Sequence, residues 1–224
     1  MRSHVTDRGE RWLTFDCYGT LVDWRTGIAR AIDSVAPGES ARLLSVYYRR
    51  EAEVQAEAFR LYRNILDEAL SRTAAEAHVT MAPGREHVLS ESLPTWPVFA
   101  DVGPALRQLR DEGWRLGILS NVDRDLFART REQLPVPIDA VITAQDVGSY
   151  KPAPVHFLRF LETYQPATHI HVAQSWFHDI EPAHRLGIQS IWINRLAEPN
   201  DPSIAVAVLP DLRELPQTVG RFRH

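Results

Sequence analysis

Short apolar runs recur along the chain at Trp12 to Phe15, Leu116 to Leu119, Ala140 to Thr143, Ile170 to Ala173 and Ser190 to Ile193. Runs of this length, bounded by polar or turn-forming residues and too short for helices, predict strands buried on both faces. Around and between the later four the spacing turns helical. One helical stretch begins at Leu106, Leu109 and Arg110, and others cover Leu126 to Leu134, Val155 to Tyr164 and Pro182 to Leu186. Strands alternating with helices in this way predict a parallel sheet whose connections cross over as helices.

The stretch from Trp24 to Pro97 breaks the alternation. It contains no convincing strand and is rich in Ala, Arg, Glu and Leu, above all from Ala41 to Ala77. Phe59, Tyr62, Leu66, Ala69 and Leu70 fall at helical spacing and mark an apolar stripe on one helix face. Pro94 and Pro97 then end the helical pattern. The expected architecture is therefore α/β, a doubly wound, Rossmann-like parallel sheet with a helical cap subdomain inserted after the first strand. Residues 1–23 and 98–224 form the core and residues 24–97 the cap. Such sheets bind ligands beyond the carboxyl ends of their strands. Each predicted strand ends there in polar residues: Asp16, then Ser120 and Asn121, Gln145 and Asp146, Gln174 and Ser175, and Asn194. A cap inserted after the first strand would cover that end as a lid.

At 224 residues the chain is long enough for a core of about 150 residues with a smaller insert. Apolar residues make up 44% and charged residues 24%, and no apolar run approaches the roughly 20 residues of a membrane span. The first ten residues are polar and charged with no apolar core of a signal peptide, so a cytoplasmic location is expected. Cys17 is the single cysteine, which rules out an internal disulfide and a cysteine-rich zinc site. A net charge of −4 gives no electrostatic case for a nucleic-acid partner. Of 25 basic residues only Lys151 is a lysine. Where arginine is the default cation, one lysine marks a place for a compact ammonium whose charge sits at one atom.

Four segments carry the candidate chemistry. Asp16-Cys17-Tyr18-Gly19-Thr20 follows the first strand, and a glycine-containing turn there can hold a carboxylate outward beside backbone amides. Ile118-Leu119-Ser120-Asn121, Tyr150-Lys151-Pro152 and His171 to Asp179 follow in order. Together they resemble the four motifs of the haloacid dehalogenase superfamily. The resemblance implies that Asp16 is a nucleophile, Lys151 its charge partner, Ser120 and Thr20 hydrogen-bond donors to the carboxylate or substrate, and Asp179 the acid of the fourth motif. Phosphatases of that superfamily carry a second aspartate where this chain has Tyr18, and a magnesium-binding acid where it has Gln174. A phenol with a pKa of about 10 is a poor proton donor near neutrality, and an amide adds no charge to a magnesium site.

Both departures resemble the L-2-haloacid dehalogenase branch, which works without metal or other cofactor. There the aspartate displaces halide from carbon and water hydrolyses the resulting ester. The implied substrate is a small carboxylic acid, met by Tyr18, Asn121, Gln174, Ser175 and His178, with Asn121 facing the departing halide and His178 an alternative base to Asp179. That branch receives halide on an arginine of its first cap helix, a position aligned here with Tyr48. Arg60 and Arg63, one turn apart, are expected to reach the site instead, with a solvated helix face as their plainer role. The resemblance also allows a homodimer. A weakly magnesium-dependent phosphatase and a non-catalytic ligand-binding protein are the rival readings.

Overall fold

The structure, a computed structural model, describes residues 10–222. Its centre is one sheet of six parallel strands: β1 (Arg11–Phe15), β2 (Arg115–Ser120), β3 (Ala140–Thr143), β4 (Thr168–Ala173), β5 (Gln189–Ile193) and β6 (Ala207–Leu209), in the order β3-β2-β1-β4-β5-β6. Strand β1 pairs with both β2 and β4, so the direction of winding reverses beside it. A crevice opens at such a reversal, beyond the carboxyl ends of the strands. The five predicted strands are all present. The sixth gave no sequence signal because it is three residues long at the sheet edge, with Val208 exposed and only Leu209 buried.

The expected helical insertion follows β1. It carries α1 (Trp24–Val35), α2 (Ser40–Gln55), α3 (Tyr62–Glu76) and α4 (Val88–Ser92), before a 3-10 turn at Leu93–Thr95. Asp23 starts α1 by accepting the Thr26 amide at 3.1 Å, the side-chain cap a helix N-terminus needs. Where the chain leaves and rejoins the core it pairs with itself: Asp23 N donates to Pro97 O at 2.7 Å and Phe99 N to Leu21 O at 2.9 Å. We propose that a cap unit divides from the core there, at residues 24 and 97. Tyr62, Leu66, Ala69 and Leu70 are buried along α3 as their spacing predicts. Phe59, expected in the same stripe, lies ahead of the helix and is 43% exposed.

Two contacts decide where the insertion sits. The first-turn amides of a helix have no acceptor within it. Those of Tyr62 and Arg63 are taken by the carboxylate of Asp123, in the loop after β2, at 2.7 and 3.1 Å. The Tyr150 hydroxyl donates to Arg60 O at 2.9 Å, tying the same end of α3 to the core. The core side is completed by α5 (Val102–Asp111), α6 (Arg124–Arg131), α7 (Ala144–Val147) and α8 (Val155–Tyr164). Trp12 of β1 packs edge-on against Phe160 of α8, with ring centroids 5.3 Å apart. Among the described residues no helix is long and apolar enough to cross a membrane.

Helix α1 approaches the end of the insertion through Gly27. A Cβ built there would lie 2.2 Å from Cγ of Trp96, whose side chain is 2% exposed. Gly27→Ala sets two effects against each other: a gain of about 1 kcal/mol in helix propensity and an overpacking cost of about 1–3 kcal/mol. At this separation the clash wins. Denaturant unfolding is expected to show Gly27→Ala less stable than wild type, and a stabilised variant would mean that the helix does not pack on Trp96.

Candidate active site

The turn after β1 is built to present one carboxylate. Asp16 N donates to Val172 O of β4, and the amides of Leu21 and Val22 both close on Cys17 O, at 2.8 and 3.0 Å. Gly19 sits at φ +103°, and a Cβ there would come within 3.0 Å of Gln174 Oε1 and 3.1 Å of Trp24 Nε1. Only glycine satisfies both the left-handed backbone and this close approach. Thr20, next in the turn, donates its hydroxyl to Asp16 Oδ2 at 3.0 Å and accepts the Gln174 amide at 2.9 Å.

Lys151 crosses beneath this carboxylate. Its ammonium is 1% exposed and donates to Asp16 Oδ1 at 2.9 Å, Asp179 Oδ1 at 2.5 Å and Leu119 O at 2.8 Å. An ammonium has three protons, and all three are committed. The lysine backbone is clamped as well: Asn121 Oδ1 accepts the Lys151 amide at 2.8 Å, and Asn121 Nδ2 donates to Lys151 O at 3.0 Å. Asn121, expected to face a departing halide, is turned to this clamp. Asp179 reaches the ammonium because the chain after β4 makes one wide turn over Trp176–Ile180, closed by Ile180 N to Ser175 O at 3.2 Å. Such wide turns recur at functional sites.

The charges follow from these contacts. Burial raises the pKa of Asp16 above its ordinary value, against the pull of the Lys151 ammonium and the Thr20 hydroxyl. Burial alone would lower Lys151, but the Asp16 and Asp179 carboxylates outweigh it and raise it. Burial also works against the ionised form of Asp179, yet Lys151 and His171 hold its pKa down at about 2. Lys151 and Asp179 are thus a fixed ion pair, and Asp16 is the member whose charge is adjustable. Burial pushes the phenol of Tyr18 well above its ordinary value, and the hydroxyl is engaged with Thr130 Oγ1 at 2.9 Å. The His178 ring, held at 3.0 Å from Ser175 Oγ, is lowered by burial.

Beneath Asp179 lies a part of the network that sequence reasoning missed. His171 Nε2 lies 3.0 Å from Asp179 Oδ1, and the Thr14 hydroxyl joins His171 Nδ1 at 2.9 Å to His169 Nε2 at 2.7 Å. The signal was present: Thr14 and His171 are polar positions inside apolar runs, and they face each other in the register of β1 and β4.

One cavity of about 690 Å³ gathers most of the predicted residues: Asp16, Tyr18, Ser120, Asn121, Lys151, Gln174, Ser175, His178 and Asp179 all line it, with Thr20 buried behind. Arg60 and Arg63 do not line it. Arg60 pairs with Glu57 at 2.5 Å, and Arg63 with Asp123 at 3.1 Å and with Asp125, because both belong to the anchored start of α3. Tyr48 does line the cavity, with Glu51, Phe59 and Tyr62, which lie outside the four motif segments, and Phe177, which lies within the fourth. Three buried polar atoms of wall residues make no hydrogen bond within the described residues: the Tyr48 hydroxyl, Ser120 Oγ and Asp179 Oδ2. The wall is poorly suited to magnesium: the Lys151 ammonium already bridges the carboxylates of Asp16 and Asp179, and Gln174 adds no charge.

The sequence signature of the family described as haloacid dehalogenase-like hydrolase matches residues 11–187. The chain is 28% identical over 152 residues to (S)-2-haloacid dehalogenase 4A of Burkholderia cepacia, an alignment covering 64% of this chain and 65% of the relative. It is 25% identical over 191 residues to (S)-2-haloacid dehalogenase of Pseudomonas putida, covering 82% and 84%. A crystal structure of an L-2-haloacid dehalogenase superimposes with a TM-score of 0.84 at 25% identity, covering 95% of this chain and 99% of the other.

The ion pair at Lys151 makes a stability prediction. Asp179→Asn leaves a buried ammonium with one carboxylate fewer, at a cost of about 3–5 kcal/mol at pH 7. The depressed pKa gives the sign. The stability that Asp179 contributes is complete above its ordinary 3.8 and is lost as pH falls through about 2. Unfolding curves of wild type and variant are expected to lie far apart at pH 7 and to converge in acid, and a pH-independent gap would contradict the assignment.

Proposed function

The chain belongs to the haloacid dehalogenase-like hydrolases, and we propose that it acts at carbon, with Asp16 displacing halide from a carbon next to a carbonyl group. The reaction is that of the 2-haloacid dehalogenases it resembles, and 2-haloacids are the substrates named for those relatives. In the first step an Asp16 carboxylate oxygen bonds to the halogen-bearing carbon as the carbon–halogen bond breaks and halide leaves with its electron pair. In the second, water adds to the Asp16 carbonyl carbon and the bond from that carbon to the substrate oxygen breaks. A 2-hydroxy product departs and the carboxylate is restored, carrying one oxygen from water. Lys151 offsets the carboxylate charge in the first step and the charge that develops on the ester carbonyl oxygen in the second, and Thr20 fixes the rotation of the group. Asp179 Oδ2, a wall oxygen without a partner, or the adjacent His178 takes a proton from the attacking water and returns it to the departing oxygen.

A single observation carries this reading: among Tyr18, Asp179 and His178 in the cavity wall none readily gives up a proton at neutral pH, and the Lys151 ammonium, its pKa raised, keeps its protons on three acceptors. The Tyr18 hydroxyl is turned to Thr130 and its pKa lies well above the ordinary value, Asp179 is held at about 2, and burial lowers His178. An alcohol leaving from phosphate needs an acid near its oxygen. Halide leaves without one. The same observation disfavours the phosphatase alternative.

The test is halide release, without added metal, from 2-chloropropionate and from 2-chloropropionamide. Wild type is expected to release chloride from at least one, and Asp16→Asn to lose at least about a thousandfold in rate, as removal of a nucleophile does. Residual chloride release by Asp16→Asn at the wild-type rate would remove the nucleophile from the account. The pH profile supplies a second check. Because burial raises the Asp16 pKa, the acid limb of kcat/KM is expected above the 3.8 of an ordinary aspartate, with activity lost as pH falls through it. A limb at or below 3.8 would contradict a buried attacking carboxylate.

A further inference from the structure

Relying on the Asp16 reading, the composition of the cavity wall narrows the substrate. The wall holds one cation, Lys151, and its three protons are committed to Asp16, Asp179 and Leu119 O. No arginine of the insertion lines the cavity: Arg49 and Arg50 pair with Glu53 and Glu76, Arg60 with Glu57, and Arg63 with Asp123 and Asp125. Arg25 lies 5.5 Å from the Tyr48 ring centroid but is exposed and outside the lining. Against one ammonium stand the carboxyl groups of Asp16, Asp179 and Glu51, the last accepting the Tyr62 hydroxyl at 2.7 Å while burial raises its pKa. Glu57, also in the wall, is balanced by Arg60 and Arg72. A carboxylate entering this wall meets three acidic side chains and no uncommitted cation, so the hydroxyls of Ser120 and Tyr48 are left to offset its desolvation without an ion pair.

The remaining wall is aromatic. Phe59 and Tyr150 stand with ring centroids 5.3 Å apart, Tyr62 lies 6.3 Å from Tyr150, and Trp24 and Tyr48 are 4.9 Å apart. Phe59 is 43% exposed and Phe177 58%, both at the cavity. Large rings left open to water at a cavity favour a flat apolar ligand that covers them. Ser120 Oγ, buried in the wall without a partner, is a donor suited to a neutral carbonyl oxygen.

We propose that the substrate is an uncharged α-halogenated amide or ester bearing a flat apolar group, in place of a small haloacid anion. The carbonyl oxygen takes the Ser120 hydroxyl, the α-carbon faces Asp16, and the flat group lies among Tyr48, Phe59, Tyr150 and Phe177. Bond changes are those of the two steps above: the carbon–halogen bond breaks with halide leaving, and water then converts the Asp16 ester to the 2-hydroxy amide or ester.

The experiment compares kcat/KM for chloride release from chloroacetate, chloroacetamide and chloroacetanilide, each divided by that probe's rate with acetate as nucleophile in water. The anilide is expected to be turned over fastest and chloroacetate at least about tenfold more slowly than chloroacetamide, the penalty of one unmatched charge. Glu51→Gln is expected to move the acid-to-amide ratio about tenfold toward the acid by removing a like charge. Phe177→Ala, at an exposed position that leaves the core intact, is expected to lower the anilide-to-amide ratio through KM. Chloroacetate turned over as fast as chloroacetamide, or an acid-to-amide ratio unmoved by Glu51→Gln, overturns the proposal while leaving the Asp16 reaction standing. No chloride from any probe overturns both.

Discussion

A single ammonium buried between two carboxylates organises this molecule. Burying any of these charges alone would be prohibitive, and together they are tolerable only because every proton of Lys151 has an acceptor. The chain contains 24 arginines by subtraction of its one lysine from 25 basic residues, yet a guanidinium could not replace it. A planar fork presents five donors in a fixed plane, whereas this site has three acceptors around one nitrogen. The asymmetry between the carboxylates is the functional point. Asp179, held by both Lys151 and His171, keeps a pKa of about 2, and Asp16 is left with a raised pKa at the cavity.

The fold supplies that geometry from separate parts. The winding reversal beside β1 brings the ends of β1, β2 and β4 to one crevice. Asn121, at the end of β2, fixes the lysine backbone, and the wide turn after β4 delivers Asp179. The insertion then roofs the crevice, and its seat is also electrostatic: the Asp123 carboxylate takes the first amides of α3. Arg63 is drawn into that seat and away from the cavity.

Much of this was legible along the chain. Five strands showed as apolar runs; Asp16 stands directly at a strand end, Lys151 stands out as the single lysine, and Asp179 closes the segment that resembles a fourth motif. The cap appeared as a loss of strand periodicity. What stayed hidden depended on tertiary pairing. Asp123 reads as a turn residue until α3 is placed on it, and Arg60 and Arg63 read as solvent-facing or site-facing equally well. Glu51 enters the wall only because α2 lies over the sheet end. Thr14 and His171 were detectable as polar residues in buried strands, but their partnership needed the register of β1 with β4.

The central claim is that Asp16 becomes covalently attached to its substrate and is freed by attack of water on its own carbonyl carbon. A single turnover in ¹⁸O-labelled water, with enzyme in excess over a substrate that releases chloride, tests this directly. Mass spectrometry of the peptide containing Asp16 is predicted to find one heavy oxygen in that side chain and unlabelled hydroxyl in the product. An unlabelled Asp16 with the heavy oxygen in the product would contradict the account, since water would then have attacked the substrate carbon itself.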